Sequence, residues 1–303
     1  LFLLVAWVLL FTISCGGNGG GGGSVATTTT SSGASSTPSP GATQSPPPAV
    51  APTTVRVSVS DAGVEGNDNS SAPAISSDGR YVAFYSVARN LLATDLYIGF
   101  EVLVKDMQSM TMSRGALDAM GNEINGSTYH ADVSDDGRYV AFASPVDGIV
   151  AANTIANDNN AKWDVFVRDT VGNTTQIVSL TQNGTVGGYN SAGPRISGNG
   201  QYVAFQSQER LTPDDPNTGV SYDIYVRDIT TGVTQFVSKS AVAGSDFNTS
   251  QTPTISTDGR YVAFPSAKFT LVANDTNGAL DAFVWDRGRN GLITRVSVNS
   301  SGD

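Results

Sequence analysis

The feature that most constrains this chain is a nine-residue segment that occurs four times. Residues 76–84 (SSDGRYVAF), 134–142 (SDDGRYVAF), 197–205 (SGNGQYVAF) and 256–264 (STDGRYVAF) align without gaps. Their glycines, Gly79, Gly137, Gly200 and Gly259, stand 58, 63 and 59 residues apart. A second motif follows each: 101–106 (EVLVKD), 164–169 (DVFVRD), 223–228 (DIYVRD) and 281–286 (DAFVWD). A third precedes each, at 56–59, 113–116 (degraded), 177–180 and 236–239. Self-similarity at such a period marks units that cannot bury their apolar surface singly and must pack side by side.

Each unit reads as four short strands, a to d. Strand a ends in the Ile-Ser or Val-Ser before the turn, and Asp-Gly is a hairpin signal, since both residue types tolerate positive φ. Strand b, Tyr-Val-Ala-Phe, is apolar at both parities, where a strand with one wet face would alternate. It therefore needs cover on both sides. Strand c is the Val-Phe-Val-Arg-Asp type, and its last Asp can cap the turn into strand d. Long helical periodicity is missing. The pattern predicts an all-β fold, a β-propeller with four visible four-stranded blades of about 60 residues. The third motif begins again at 294–298 (TRVSV). Five d strands against four of each other kind predict a fragment of a larger propeller, cut at both ends. Four long blades closing on themselves is the alternative.

These residues resemble the TolB-like, or PD40 (WD40-like), propeller repeats, whose pattern is Pro-x-Ile-Ser-x-Asp-Gly-Arg-x-Val-Ala-Phe. Pro73, Pro194 and Pro253 supply the proline, and Ala131 replaces it in the second repeat. The resemblance covers residues 54–303. It implies a propeller that binds proteins or small ligands, often in the periplasm. TolB's additional α/β domain has no counterpart here, so its specific partners do not transfer. The turn also looks like the Asp box of sialidases, but that motif has one more residue between Asp and Gly, and no glycosidase follows from it.

Residues 1–13 (LFLLVAWVLLFTI) are too short an apolar run to span a bilayer comfortably and suit the h-region of a signal peptide. Thr12-Ile13-Ser14-Cys15 resembles a bacterial lipobox, with Thr12 in place of the usual aliphatic residue. Residues 1–15 are thus read as a signal peptide with Cys15 as the lipidation site. The bland reading is an ordinary secretory signal with an incidental Cys. Cys15 is the only cysteine, so no disulfide forms within the chain. Residues 16–53 are Gly, Ser, Thr and Pro with little else, a disordered linker reaching about 30–40 Å from its anchor.

The chain carries 17 Lys plus Arg against 27 Asp plus Glu, a formal charge of −10. Nucleic acid would need a basic stripe, and the sequence has none. Catalytic raw material is scarce: there is one His, His130, and no Gly-x-Ser-x-Gly elbow. Zinc would need more His or Cys. The sharpest chemical signal lies in the b–c loops. Asp158, Asn160 and Asp164, and Asp275, Asn277 and Asp281, both follow Asp-x-Asn-x-x-x-Asp. Oxygens at that spacing suit a hard cation such as Ca²⁺. They resemble the later part of integrin-type propeller loops, but Ala156 and Ala273 occupy the first ligand place. Asp215, Asn217 and Asp223 form a looser third version. The first blade keeps Asp95 and Glu101 with Tyr97 in place of Asn. The competing reading is that these residues form Asx-turns and need no metal. Strand a, innermost, varies at one position (Ala74, Asp132, Arg195, Thr254), which makes Asp132 and Arg195, with His130 nearby, channel-facing ligand candidates. The bland alternatives are drift at a wet position, with Asp132 and Arg195 pairing across the channel.

The functional expectation is a non-catalytic, envelope-tethered binding scaffold, periplasmic or at the cell surface, with a protein or glycan partner. The alternatives are a Ca²⁺-dependent carbohydrate-active enzyme using acidic channel residues, or an architectural spacer of a larger surface protein.

Overall fold

A computed structural model describes residues 54–150, 158–216, 221–240 and 249–299. Cys15, the signal and linker segments, and Asn217 lie outside the described residues.

Within the described residues the chain forms four antiparallel sheets of four strands, each strand pairing with the next in sequence. Blade 1 is β1 (Ser70–Ile75), β2 (Tyr81–Ser86), β3 (Glu101–Asp106) and β4 (Thr111–Arg114). Blade 2 is β5 (Tyr129–Val133), β6 (Tyr139–Ser144), β7 (Asp164–Asp169) and β8 (Thr174–Ile177). Blade 3 is β9 (Ser191–Ile196), β10 (Tyr202–Ser207), β11 (Asp223–Asp228) and β12 (Thr234–Phe236). Blade 4 is β13 (Thr254–Ile255), β14 (Tyr261–Ser266), β15 (Asp281–Asp286) and β16 (Leu292–Arg295). The first strands of successive blades lie side by side, β1 by β5, β5 by β9 and β9 by β13. This is an all-β propeller arrangement.

The a–b turn explains why Ser-x-Asp-Gly recurs. In blade 2, Ser134 Oγ donates to Asp136 Oδ1 at 2.6 Å, and the Arg138 amide donates to the same oxygen at 3.0 Å. The Tyr139 amide donates to Ser134 Oγ at 2.9 Å. Only the glycine takes positive φ (Gly137, +71°), so the Asp serves as a side-chain acceptor and not as a left-handed residue. Arg138 then grips Asp169, the last residue of strand c, through two hydrogen bonds of 2.9 and 2.7 Å. Blades 1 and 4 repeat the grip with Arg80–Asp106 and Arg260–Asp286, and Gln201 meets Asp228 at 3.0 Å in blade 3.

The b strands are covered on both faces, as their apolar run at both parities requires. Val140, Ala141, Phe142, Val203, Ala204 and Phe205 are fully buried. Ala83, Val102 and Val104 of blade 1 share a core with Val133, Phe142 and Phe166 of blade 2. Ala141, Val165 and Val167 of blade 2 pack with Phe205 and Tyr225 of blade 3, and Ala204, Ile224 and Val226 pack with Phe264 and Phe283 of blade 4. At the end blades the pattern opens. Ala282, in the place of buried Val102, Val165 and Ile224, is exposed. Ile75, in the place of Val133 and Ile196, is 63% exposed.

One expectation about the strands is corrected. The third motif is not a d strand of the unit it precedes, because each sheet takes its d strand from its own unit, directly after c. Residues 56–59 join none of the four sheets; Val59 makes a single bridge to Glu65, and Val57 packs against the cluster that contains Phe84 and Leu103. Among the described residues the sheets hold four d strands, not five.

Candidate functional site

The b strands run toward the b–c loops, and the a and c strands start there. That end of the array therefore collects residues from three strands of each blade, and it holds every sequence-predicted site residue that the structure describes except Arg195 and Asp132, which lie further along strand a.

At the channel position Asp132 and Arg195 do not pair. Asp132 Oδ2 accepts the backbone amide of Ile196 at 2.8 Å, which ties β5 to β9, while Arg195 Nη1 donates to the Pro194 carbonyl at 3.1 Å. Burial pushes the half-buried Asp132 up to about 6 against that hydrogen bond and the charge of Arg195. His130 is exposed at φ +57°, within the register shift of β5 against β6, where Ala72 and Gly193 take the same backbone conformation in their blades. It is the residue at a bulge, with no acid–base partner beside it among the described residues.

The b–c loops bring their acids together blade by blade. In blade 2, Asn160 Nδ2 donates to Asp164 Oδ2 at 2.9 Å and to the Gly187 carbonyl at 2.8 Å, and Ser179 Oγ donates to Asp164 Oδ1 at 2.5 Å. Asp158 and Asp164 are both buried, and burial lifts them to about 7 and about 6. Blade 4 repeats the scheme, with Asn277 donating to Asp281 Oδ2 at 3.0 Å and Ser297 to Oδ1 at 2.5 Å. In blade 3, Ser238 donates to Asp223 at 2.6 Å and the Tyr225 hydroxyl donates to Asp215. In blades 2 and 4 the Asn Oδ1 closes an Asx-turn, accepting from the backbone amides of Lys162 and Ala279. Among the described residues no three His, Cys, Asp or Glu side chains converge as a ready metal cage.

A second group at this end is not marked by any of the repeat motifs. Tyr85, Phe100, Tyr129 and Trp163 form a continuous aromatic ledge across blades 1 and 2. Ring centroids lie 5.3 Å apart for Tyr85–Phe100 and Tyr85–Tyr129, 4.8 Å for Phe100–Tyr129 and 5.2 Å for Tyr129–Trp163. All four are half-buried, so each keeps part of its ring in solvent. His130 extends the row, 6.4 Å from Tyr129. Beside it Tyr97 is partly exposed, and Leu96 and Ile98 are 71% and 86% exposed. Strand geometry builds the ledge: Tyr129 starts strand a, Tyr85 lies near the end of strand b, and Phe100 and Trp163 immediately precede strand c. The sequence signal was the residue before each c motif, which is Phe100, Trp163 and Tyr222 in three of the four repeats.

No family model and no curated protein matches the chain. Solved structures to which it is similar include TolB from Acinetobacter baumannii, at 15% identity and a TM-score of 0.42, covering 76% of this chain and 43% of that one. A putative TolB from Agrobacterium tumefaciens is similar at 15% identity and a TM-score of 0.46, covering 77% and 63%. The β-propeller domain of the Trilobed protease from Pyrococcus furiosus is similar at 9% identity and a TM-score of 0.38, covering 76% and 57%. The chain spans less than two thirds of the length of each. The fold is a β-propeller. It stands on the four sheets and their shared cores, and no activity comes with it. Among the described residues no helix is long and apolar enough to cross a membrane.

Proposed function

We propose that the chain is a non-catalytic binding scaffold, exported and held at the cell envelope through Cys15 and the 16–53 linker. Its contact surface is the b–c end of blades 1 and 2. The observation that carries this reading is the aromatic ledge of Tyr85, Phe100, Tyr129 and Trp163. Rings held in mutual contact with one edge wet are preorganised to stack on a flat apolar partner, and aromatic residues dominate contact energies at such surfaces. The partner chemistry that fits is a ring: the face of a sugar in an envelope glycan, or proline and aromatic side chains of a protein. The acidic chain around it favours neutral or basic partners.

The reading is tested by titrating the full chain by calorimetry with soluble oligosaccharide fragments and with proline-rich peptides. Binding by one class, reduced about tenfold or more in Trp163→Ala and Tyr129→Ala while the melting temperature holds, supports it. Unchanged binding in both variants, or no binding of either class, overturns it. Export is tested separately: fatty-acid labelling that disappears in Cys15→Ala supports the tether, and labelling retained or never seen rejects it.

A further inference from the structure

The four b–c loops solve one electrostatic problem in different ways. Each blade buries or half-buries acidic side chains at the start of strand c and in the loop before it, and a carboxylate withdrawn from water needs a donor or a counter-charge. Strand d supplies one in two blades. The residue opposite the second apolar position of strand c is Arg114 in blade 1, paired with Leu103, and Arg295 in blade 4, paired with Phe283. Arg114 forms ion pairs with Glu101 and, at 2.9 Å, with Glu123; Arg295 lies 3.4 Å from Asp275. Blade 3 has Phe236 at that register position and takes its cation from the next blade, where fully buried Lys268 forms an ion pair with Asp223. The Tyr225 hydroxyl serves Asp215.

Blade 2 has none of these. Its register position is Ile177, opposite Phe166. Phe166 also stands where blade 3 has Tyr225. The residue of the following blade in the place of Lys268 is an acid, Glu209; both amides donate to the Ser two residues earlier, Ser266 for Lys268 and Ser207 for Glu209. Among the described residues, no Lys or Arg forms an ion pair with Asp158 or Asp164. The consequence shows at one atom. Among the described residues, three carboxylate oxygens are buried without a hydrogen-bond donor: Glu101 Oε1, Asp275 Oδ1 and Asp158 Oδ1. The first two face Arg114 and Arg295. Asp158, only 3% exposed, faces no cation.

We propose that blade 2 alone binds a hard divalent cation of the calcium class, held by Asp158 and Asp164, whose charge no side-chain cation answers as Arg114, Lys268 and Arg295 answer the acids of the other three blades. Oxygen ligands only, two carboxylates completed by water, suit Ca²⁺ and not a soft metal. The Asp-x-Asn-x-x-x-Asp motif of blade 4 does not bind, because Arg295 already neutralises it.

Calcium is titrated into the full chain by calorimetry at neutral pH, and Tb³⁺ luminescence is excited through tryptophan, since Trp163 adjoins Asp164. The expected result is one Ca²⁺ per chain, Tb³⁺ emission that Ca²⁺ competes away, and a melting temperature raised by a few degrees, roughly as ligand linkage gives. Asp158→Asn weakens binding about tenfold or more, and Asp281→Asn in blade 4 leaves it unchanged. Ile177→Arg, which installs the guanidinium of blades 1 and 4, abolishes binding without lowering the metal-free melting temperature. No heat and no emission overturns the proposal, since the pair is then satisfied by protons. Binding that survives Asp158→Asn, or that falls equally in Asp281→Asn, overturns it as well. Should Ile177→Arg fail to fold, the Asp158→Asn and Asp281→Asn pair still decides.

Discussion

The ring of Tyr139 in blade 2 occupies the space that a side chain at Gly200 in blade 3 would need. A Cβ on Gly200 would stand 2.5 Å from Tyr139 Cδ2, and Gly200 is also held at φ +72°. The same relation joins Tyr81 to Gly137 and Tyr202 to Gly259. The turn glycine thus has two jobs: it makes the hairpin, and it receives the first aromatic residue of the preceding blade's b strand.

Gly200→Ala is therefore expected to cost more than a left-handed alanine alone. Gly148→Ala is the control, at φ +79° with nothing within 4 Å of the added Cβ. The backbone conformation costs about 1 kcal/mol at either site. Displacing the Tyr139 ring adds on the order of 1–3 kcal/mol at Gly200 only. Urea unfolding of the two variants checks this; equal losses would show that the ring yields freely.

Asp132 has a signed pH dependence. Its carboxyl is raised to about 6 in the fold by burial, above the ordinary value near 3.9. The folded state then holds the proton more tightly than the unfolded chain, so this group subtracts stability as pH climbs from about 4 to about 6. Asp132→Asn keeps an oxygen for the Ile196 amide and removes the charge. The variant is expected to be more stable than the parent at pH 7.5, by on the order of 1 kcal/mol after allowance for partial exposure, and equal to it near pH 4. Melting curves from pH 4 to 8 measure the crossover.

The Arg138–Asp169 grip has the opposite sign. The guanidinium holds Asp169 down at about 2, so its contribution is complete above the unfolded value near 3.9 and is lost as pH falls through about 2. Arg138→Gln copies the Gln201–Asp228 pair that blade 3 uses. It is expected to lower the melting temperature slightly at pH 7, because the pair is partly solvent-exposed, and to lose most of that difference by pH 2. A difference that persists unchanged at pH 2 would mean that packing of Arg138 over the Tyr139 ring, 4.8 Å from its centroid, matters more than the charge.

The architecture was legible because its signals are local and repeated. A Tyr-Val-Ala-Phe strand apolar at both parities demands two covers, and Val203, Ala204 and Phe205 have them. The third motif misled, because the sequence 56–59 looks like 177–180 but only the latter begins inside a sheet, at Ile177 of β8. The ledge was hidden for another reason. Tyr85, Phe100, Tyr129 and Trp163 come from three strand positions in two blades, and each alone reads as an ordinary half-buried aromatic. The b–c acids were visible, but their counter-charges were not. Arg295 meets Asp275 through the pairing of strand d with strand c, and Lys268 reaches Asp223 only because blade 4 stacks on blade 3.

That stacking makes Lys268 the most informative charge to remove. Its ammonium and the Asp223 carboxylate are each about 2% exposed, and the pair crosses the blade 3–blade 4 junction. Lys268→Met fills the space but leaves Asp223 buried with Ser238 as its remaining described side-chain donor. Truncating one partner of such a pair costs about 3–5 kcal/mol, most of it the unpaired charge left behind. Asp223→Asn on that background keeps an oxygen for Ser238 and removes the charge, so the double variant is expected to recover at least half of the loss. A double-mutant cycle by denaturant unfolding reads the coupling directly. Additive losses would mean that the two charges are screened from each other and that the junction is held by Phe264, Phe283 and Ala204 alone.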